Sequence, residues 1–238
     1  MRRFLHLYVG ELRRLIKYKI VFFSLLVSLI WVAIVVLSDK TTAVALVPTL
    51  IGMDAGMMSI ILLGASFYFE KQEGTIHSLL VSPVPVAQVL LAKVLSAISA
   101  GLVSMLMVAG LAWIVHGAAV SFGWMALVVI VMVASHTAIG YVFILISKDF
   151  MSMLVRIMGV LLLFYVPAIL VPLGIITEEW LWVALLSPTY AGSFLLESLY
   201  KTVSSGLLAF AALYLTAIAG VIYPLAVYPR FLRVAVEG

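Results

Sequence analysis

The stretch EKQEGTIHSLLVSPVPVAQVLLAK, residues 70–93, lies between two long apolar parts of the chain. Only 10% of all residues are charged, yet three of the first four residues here carry a charge. Pro83 and Pro85 follow a short apolar run, and proline ends a helix and turns the chain. The stretch therefore predicts a polar excursion between two membrane-spanning helices.

The composition places the whole chain in a membrane. Of its 238 residues, 66% are hydrophobic, whereas a soluble domain is about half apolar. A spanning helix needs roughly 20 apolar residues, which predicts an all-α integral membrane protein with one transmembrane domain, residues 1–238. The six predicted spans are residues 20–37, 43–69, 94–115, 120–147, 151–176 and 203–228. The absence of cysteine excludes disulfides and thiolate chemistry.

Positive charge is distributed unequally between the two ends of these spans. With a cytoplasmic N-terminus, twelve Lys and Arg residues fall inside and two, Lys40 and Lys201, fall outside. This bias is typical of multi-pass membrane proteins. It predicts a cell-membrane protein whose two termini and residues 70–93 are cytoplasmic. Residues 38–42, 116–119 and 177–202 are then expected outside.

Residues 1–18 predict an amphipathic helix lying along the inner membrane interface. Its apolar arc consists of Phe4, Leu5, Tyr8, Leu12, Leu15 and Ile16. Its other side carries Arg3, Arg13, Arg14 and Lys17. Such a helix either anchors the chain through anionic lipids or also contacts a cytoplasmic partner.

The sequence carries no motif for catalysis, metal binding or nucleotide binding. There is no G-x-x-x-x-G-K-[ST] phosphate loop and no H-E-x-x-H, and the four histidines are scattered. A membrane-embedded enzyme would need clustered His, Asp or Glu residues. We therefore expect no catalytic residue, no bound metal or cofactor and no nucleic-acid partner.

Two polar residues within predicted spans are candidates for a substrate path. Asp54 is predicted a few residues below the outer surface, with a structural, pore-lining or proton-coupling role. Gly52 and Gly56 flank it at a spacing that favours close helix approach. His136 is predicted to be a hydrogen-bonded interior residue. A secondary transporter or channel using Asp54 is the alternative, although such proteins often show an inverted repeat, which we do not find.

The polar excursion, most narrowly residues 70–88, predicts a short helix starting within residues 70–75. Ile76, Leu79 and Leu80 would give this helix an apolar edge, and Pro83 would end it. Such a helix suits docking by a soluble partner. An ordinary solvated loop remains the alternative.

Two motifs resemble the type-2 ATP-binding-cassette (ABC) exporter permease family. The first consists of Glu70, Glu73, Gly74, Thr75, Leu79, Leu80, Pro83, Ala92 and Lys93. The second is LLSPTYAGSFLLESL at 185–199, in which Pro188, Thr189 and Tyr190 match a Pro-x-Tyr segment before the last span. The chain departs from the family where a basic residue often follows this segment, because Glu197 occupies that region and Lys201 comes later.

The resemblance implies an export permease that works together with a second permease chain, either a copy or a relative. A path lined by apolar and small polar side chains suits an amphipathic substrate such as a drug or lipid, although polysaccharide export uses similar permeases. Two cytoplasmic ATPase subunits would bind ATP and Mg²⁺. Their contacts would be a coupling helix with Glu70, Glu73, Gly74, Thr75, Leu79, Leu80 and Pro83, and a second site with Arg13, Arg14 and Lys17.

The resemblance also implies features at the outer side. Pro167 and Pro172, with Gly174, would interrupt the fifth span beside the substrate path. Residues 177–202 would form an outer re-entrant hairpin that includes Trp180, Trp182, Pro188 and Tyr190, with the two tryptophans at the membrane interface.

Overall fold

The computed structural model describes residues 2–78 and 84–237, and this part of the chain is helical and contains no strand. The helices are α1 (Arg2–Lys17), α2 (Ile20–Leu37), α3 (Lys40–Gln72), α4 (Thr75–Ser78), α5 (Val86–His116), α6 (Phe122–Leu145), α7 (Phe150–Leu170), α8 (Leu181–Ala184), α9 (Pro188–Glu197), α10 (Ser205–Ile222) and α11 (Tyr228–Glu237). A short 3-10 turn, Glu178–Trp180, precedes α8, and a π-helical segment, Tyr223–Val227, joins α10 to α11.

Six helices of the described chain are long and apolar enough to cross a membrane, which confirms the predicted fold class. They are α2, α3, α5, α6, α7 and the continuous helix Ser205–Val234. Each corresponds to one of the six predicted segments. Their helical form follows from the need of a chain in lipid to satisfy every backbone polar group within its own helix, and their length follows from the thickness of the bilayer core.

Several predicted boundaries were wrong by up to a few turns. Helix α3 reaches Gln72, and α5 already begins at Val86, so residues 86–93 belong to a spanning helix and not to the loop. Pro85 directly precedes α5 and has φ −58°, which leads into a helix. Helix α7 ends at Leu170 and is followed by turns with Gly174 at φ 70°.

Acidic side chains cap the N-terminal ends of two spanning helices. Asp39 accepts hydrogen bonds from the backbone N–H groups of Thr41 and Thr42, at 3.0 and 3.1 Å, at the start of α3. Asp149 and Ser152 form a reciprocal capping box at the start of α7. These bonds satisfy N–H groups that have no partner within the helix.

Helix α3 is the centre of the bundle. In its most apolar stretch 72% is buried, compared with 28% for α2, 22% for α7 and 11% for the last spanning helix. Helices α2, α5, α6 and α9 pack around it. The outer helices therefore present wide apolar faces to lipid or to another chain.

The short helix α9 enters the bundle instead of lying on its surface. All ten of its residues are buried, and it packs against α3, α6, α7 and α10. Gly52 permits this approach, because a Cβ added there would overlap the Ser193 side chain of α9. Gly56 likewise permits close packing of α3 on α6, because a Cβ there would lie 2.8 Å from His136 Nε2. The predicted role of Gly52 and Gly56 in close helix approach is confirmed.

Candidate functional site

The first feature of the candidate site is a break between α3 and α4. Gly74 has φ 67°, a left-handed conformation that favours glycine. A Cβ at this position would meet nothing within 4 Å, so the backbone conformation, and not crowding, requires glycine. The helix predicted to begin within residues 70–75 in fact begins at Thr75, because residues 70–72 complete α3.

Four charged side chains form a cluster where α1, α3 and α5 meet. Lys93 donates hydrogen bonds to Glu70 and, at 3.0 Å, to Glu11. Arg14 Nη1 lies 2.9 Å from Glu11 Oε1 and 3.3 Å from Glu70 Oε1. Ser66 also donates to Glu70, at 3.2 Å. We call Glu11, Arg14, Glu70 and Lys93 the buried ion cluster.

Because most of this cluster is buried, it joins α1, α3 and α5 to one another from within the protein. Glu70 and Lys93 are each 2% exposed and Glu11 is 4% exposed. Charges taken out of water need close opposite charges and hydrogen bonds, and here two carboxylates face two cations. The expected surface contact of Glu70 with a partner is therefore corrected to an internal one.

Glu73 makes a second link, at the exposed side of the break. Its carboxylate accepts hydrogen bonds from Tyr18 Oη at 2.6 Å and Lys17 Nζ at 3.2 Å. The Tyr18 ring stacks on Phe69 with centroids 4.7 Å apart. These contacts join the end of α1 to the end of α3.

Both partners of the Tyr18–Glu73 hydrogen bond have altered acidity. The bond from Tyr18, followed by the bond from Lys17, lowers the pKa of Glu73 below its usual 4.5. Partial burial, followed by the bond to Glu73, raises the pKa of Tyr18 to about 12. The link is therefore fully present above pH 4.5 and is lost as the pH falls through the lowered pKa of Glu73.

The remaining residues predicted to contact an ATPase fall into three groups. Arg13 and Lys17 are exposed on α1. Ile76 is only 3% exposed and packs into the core, so its predicted place on a free apolar edge was wrong. Leu79, Leu80 and Pro83 lie outside the described residues. We use the term junction assembly for α1, residues 70–78 and the first two turns of α5.

Asp54 lies deep in the bundle and not near its surface. It is 1% exposed and accepts hydrogen bonds from Ser28 Oγ at 2.6 Å and from Ser104 Oγ. It follows Lys40, the first residue of α3, by fourteen positions, which is about 21 Å along a helix. Its depth below the outer membrane surface stays a prediction.

His136 is fully buried and joins α6 to α9, which confirms the predicted hydrogen-bonded interior residue. Its Nδ1 lies 2.8 Å from the carbonyl oxygen of Met132, and its Nε2 lies 3.0 Å from Thr189 Oγ1. Because a carbonyl only accepts, Nδ1 carries the proton and Nε2 accepts from the Thr189 hydroxyl.

The residues expected near the outer hairpin occupy different environments. Trp180 and Trp182 are 58% and 59% exposed, whereas Pro188 and Tyr190 are buried in α9. Pro167 lies inside α7, but Pro172 lies beyond the end of α7 and is exposed. The prediction that Pro172 interrupts a span was therefore wrong.

The described residues do not gather three His, Cys, Asp or Glu side chains that could hold a metal ion. What the fold does contain is the helix α1 joined to the break after α3, six helices long and apolar enough to span a membrane, and the inserted short helix α9. This arrangement is that of a multi-pass membrane protein.

The sequence profile of the ABC-2 type transporter family matches residues 8–200, which include most of the chain. The chain belongs to this family, and it is a transmembrane, non-ATPase permease component of an ABC-2 type transporter. The recognised family resemblance is thereby confirmed. No protein of curated function matches the chain.

Proposed function

We propose that this chain is the permease of an ABC exporter that works with a second permease chain and two separate cytoplasmic ATPase subunits. ATP and Mg²⁺ would bind to those subunits, and the cargo would be an amphipathic molecule such as a drug or lipid. The observation that carries the proposal is the junction assembly, in which ion pairs join α1 to the break after α3. A family that uses partner ATPases needs such a mechanical contact.

The junction assembly suggests how movement is transmitted. A partner that displaces α4 acts first on the backbone at Gly74 and then on the end of α3. The buried ion cluster passes the displacement to α5 through Lys93 and to α1 through Glu11 and Arg14. Because α3 also contacts α9, movement at the junction would reach the opposite end of the bundle.

The outer faces of the bundle support a role for a second permease chain. Helices α2 and α7 carry exposed apolar side chains, including Phe22, Phe23, Leu162 and Leu163. A second chain that covers some of these faces would enclose a path between the two permeases. An apolar path of this kind suits an amphipathic cargo.

The proposed orientation gives a direct labelling prediction. On this natively Cys-free chain, a membrane-impermeant maleimide applied to intact cells should label Glu179→Cys but not Gln72→Cys. Both positions are exposed, so the orientation of the chain would decide the difference. Labelling of Gln72→Cys from outside would contradict the proposed cytoplasmic junction.

The proposed function also predicts the origin of ATP hydrolysis. Affinity purification of the chain from its native membrane should recover a subunit with a phosphate loop, because the chain itself has no such motif. When the subunit and the permease are separated, ATP hydrolysis should be found only in the fraction that contains the subunit. Hydrolysis by the permease after complete removal of the subunit would overturn the proposal.

An ion-driven transporter that uses Asp54 is the second candidate; the burial of Asp54 favours it, whereas membership of the ABC-2 type transporter family speaks against it. A buried carboxylate near the middle of a spanning helix is a typical position for ion coupling. The same purification separates the two candidates. An ion-driven transporter would move solute across liposomes that contain only the permease, whereas the exporter would need the ATPase subunits.

A further inference from the structure

We propose that a cleft between α1 and the start of α5 binds the phosphate-bearing headgroup of an anionic phospholipid. The cleft has a volume of about 450 Å³. Arg3, His6 and Arg14 provide its polar wall, and Leu7, Val84 and Val89 provide its apolar wall. The proposal rests on the cytoplasmic, interfacial placement of α1 that is part of the proposed function.

The charge of the cleft favours an anion. Glu11 also lines it, but Lys93 and Arg14 pair with the Glu11 carboxylate at 3.0 and 2.9 Å. Because the buried ion cluster holds two acids and two cations, its charges balance. Arg3 therefore adds a net positive charge at the exposed side of the cleft.

Arg14 links the cleft to the buried ion cluster. Its Nη1 contacts Glu11 and Glu70, yet 39% of the side chain is exposed. A guanidinium group has five N–H donors and binds phosphate oxygens with two parallel hydrogen bonds. Arg14 can therefore pair with Glu11 and Glu70 and bind a phosphate headgroup at the same time. A lipid bound in the cleft would then contact the junction assembly.

The apolar wall favours a phospholipid over free phosphate. Leu7 and Val84 are half-buried and Val89 is buried, so they offer an apolar surface next to the arginines. On the same helix Leu5 and Ile16 are 58% and 65% exposed, as expected for side chains that enter the acyl region of a membrane. A phospholipid would contact the arginines with its phosphate group and the apolar wall with the start of its acyl chains.

Gly10 offers a way to block the cleft without changing its charge. It lines the cleft, and a Cβ added there would meet nothing within 4 Å. A Leu side chain at this position would therefore occupy the cleft itself instead of displacing neighbouring protein. The substitution also removes a glycine from a helix interior, where glycine is unfavourable.

The test measures retention of phosphatidylglycerol and phosphatidylcholine by the full-length chain in detergent micelles, using native mass spectrometry during a lipid titration. The wild-type chain should retain phosphatidylglycerol in preference to phosphatidylcholine. Arg3→Gln should weaken phosphatidylglycerol binding by roughly tenfold, the loss expected when one charge-assisted contact is removed. Gly10→Leu should weaken binding by at least as much, because the Leu side chain fills the cleft. Arg13→Gln is the matched control, because Arg13 is exposed on the same helix and does not line the cleft.

Three results would overturn the proposal. Equal losses in Arg3→Gln and Arg13→Gln would indicate general electrostatic attraction. Equal retention of the two lipids would indicate unspecific lipid contact, and displacement by inorganic phosphate would indicate a site for phosphate alone. Arg3 is exposed, so its variant tests the site even if Gly10→Leu alters folding. Any of these results leaves the purification test of the ATPase partnership unaffected.

Discussion

Lys93→Met should destabilise the permease by about 3–5 kcal/mol, the cost of leaving a buried ion pair without one partner. Lys93 is 2% exposed and bonds to Glu11 and Glu70. Without it, the two buried carboxylates would share Arg14 as their cation in the cluster. Thermal unfolding of the purified chain in detergent measures the loss.

Two further variants show whether the loss of stability comes from the buried cluster or from the loss of any positive charge. Lys71→Met removes an exposed lysine from the last turn of α3 and should change stability by no more than about 0.5 kcal/mol. Glu70→Gln combined with Lys93→Met restores the balance of charge, because Glu11 then pairs with Arg14 alone. This double variant should recover part of the loss. A Lys93→Met protein as stable as Lys71→Met would contradict the assigned role of the cluster.

Gly74→Val should impair coupling to the ATPase, while Gly74→Asn should largely preserve it. Gly74 has φ 67°, a conformation that asparagine tolerates and that a β-branched residue strongly resists. Forcing valine into it costs about 1–3 kcal/mol, and the chain can avoid this cost by turning α4 away. Both side chains would point into open space, so a difference between the variants reports on the backbone.

The measurement is the amount of ATPase subunit that copurifies with each variant and the rate at which the complex hydrolyses ATP. Gly74→Val should weaken association roughly tenfold, which corresponds to about 1.4 kcal/mol. Folding should be largely preserved, because the break lies at the exposed end of α3. If the valine and asparagine variants behave alike, the conformation of Gly74 has no part in coupling.

The sequence was sufficient to predict the six spans because each spanning helix depends mainly on its own residues. A helix satisfies its own backbone hydrogen bonds, and the lipid requires an apolar surface along its length. These properties are local, so no knowledge of distant residues was needed.

The ends of α3 and α5 could not be predicted because their charged residues are buried against distant partners. Glu70 and Lys93 have the appearance of loop residues in sequence, yet they pair with each other, and the second acid that Lys93 binds, Glu11, is 82 positions away from it. One signal was available: Glu11 lies on the same side of α1 as Tyr8 and Leu15, at helical spacing. An acid on the apolar face of an interfacial helix indicates a buried partner.

The surroundings of Asp54 could not be predicted because they depend on how α3 packs against its neighbours. The hydroxyl groups of Ser28 and Ser104 that bind Asp54 come from two other helices. Their positions follow from packing and not from local sequence.

The insertion of α9 was beyond sequence analysis for a similar reason. Residues 177–202 were predicted to form an outer hairpin, whereas their Pro-x-Tyr segment lies within the bundle. That position depends on close contacts between α9 and two spanning helices, at Gly52 of α3 and between Gly192 and Met132 of α6. No feature of residues 188–197 alone indicates how deeply they enter.

Site-specific photo-crosslinking tests the central claim, that the junction assembly is the contact for the ATPase, most directly. A photoreactive amino acid replaces Gln72 in one variant and Trp182 in the other, both of which are exposed at opposite ends of the bundle. Illumination of the native membrane should crosslink position 72 to a subunit that mass spectrometry identifies by its phosphate loop. Position 182 should give no such product, and a crosslink of the ATPase to position 182 but not to position 72 would contradict the account.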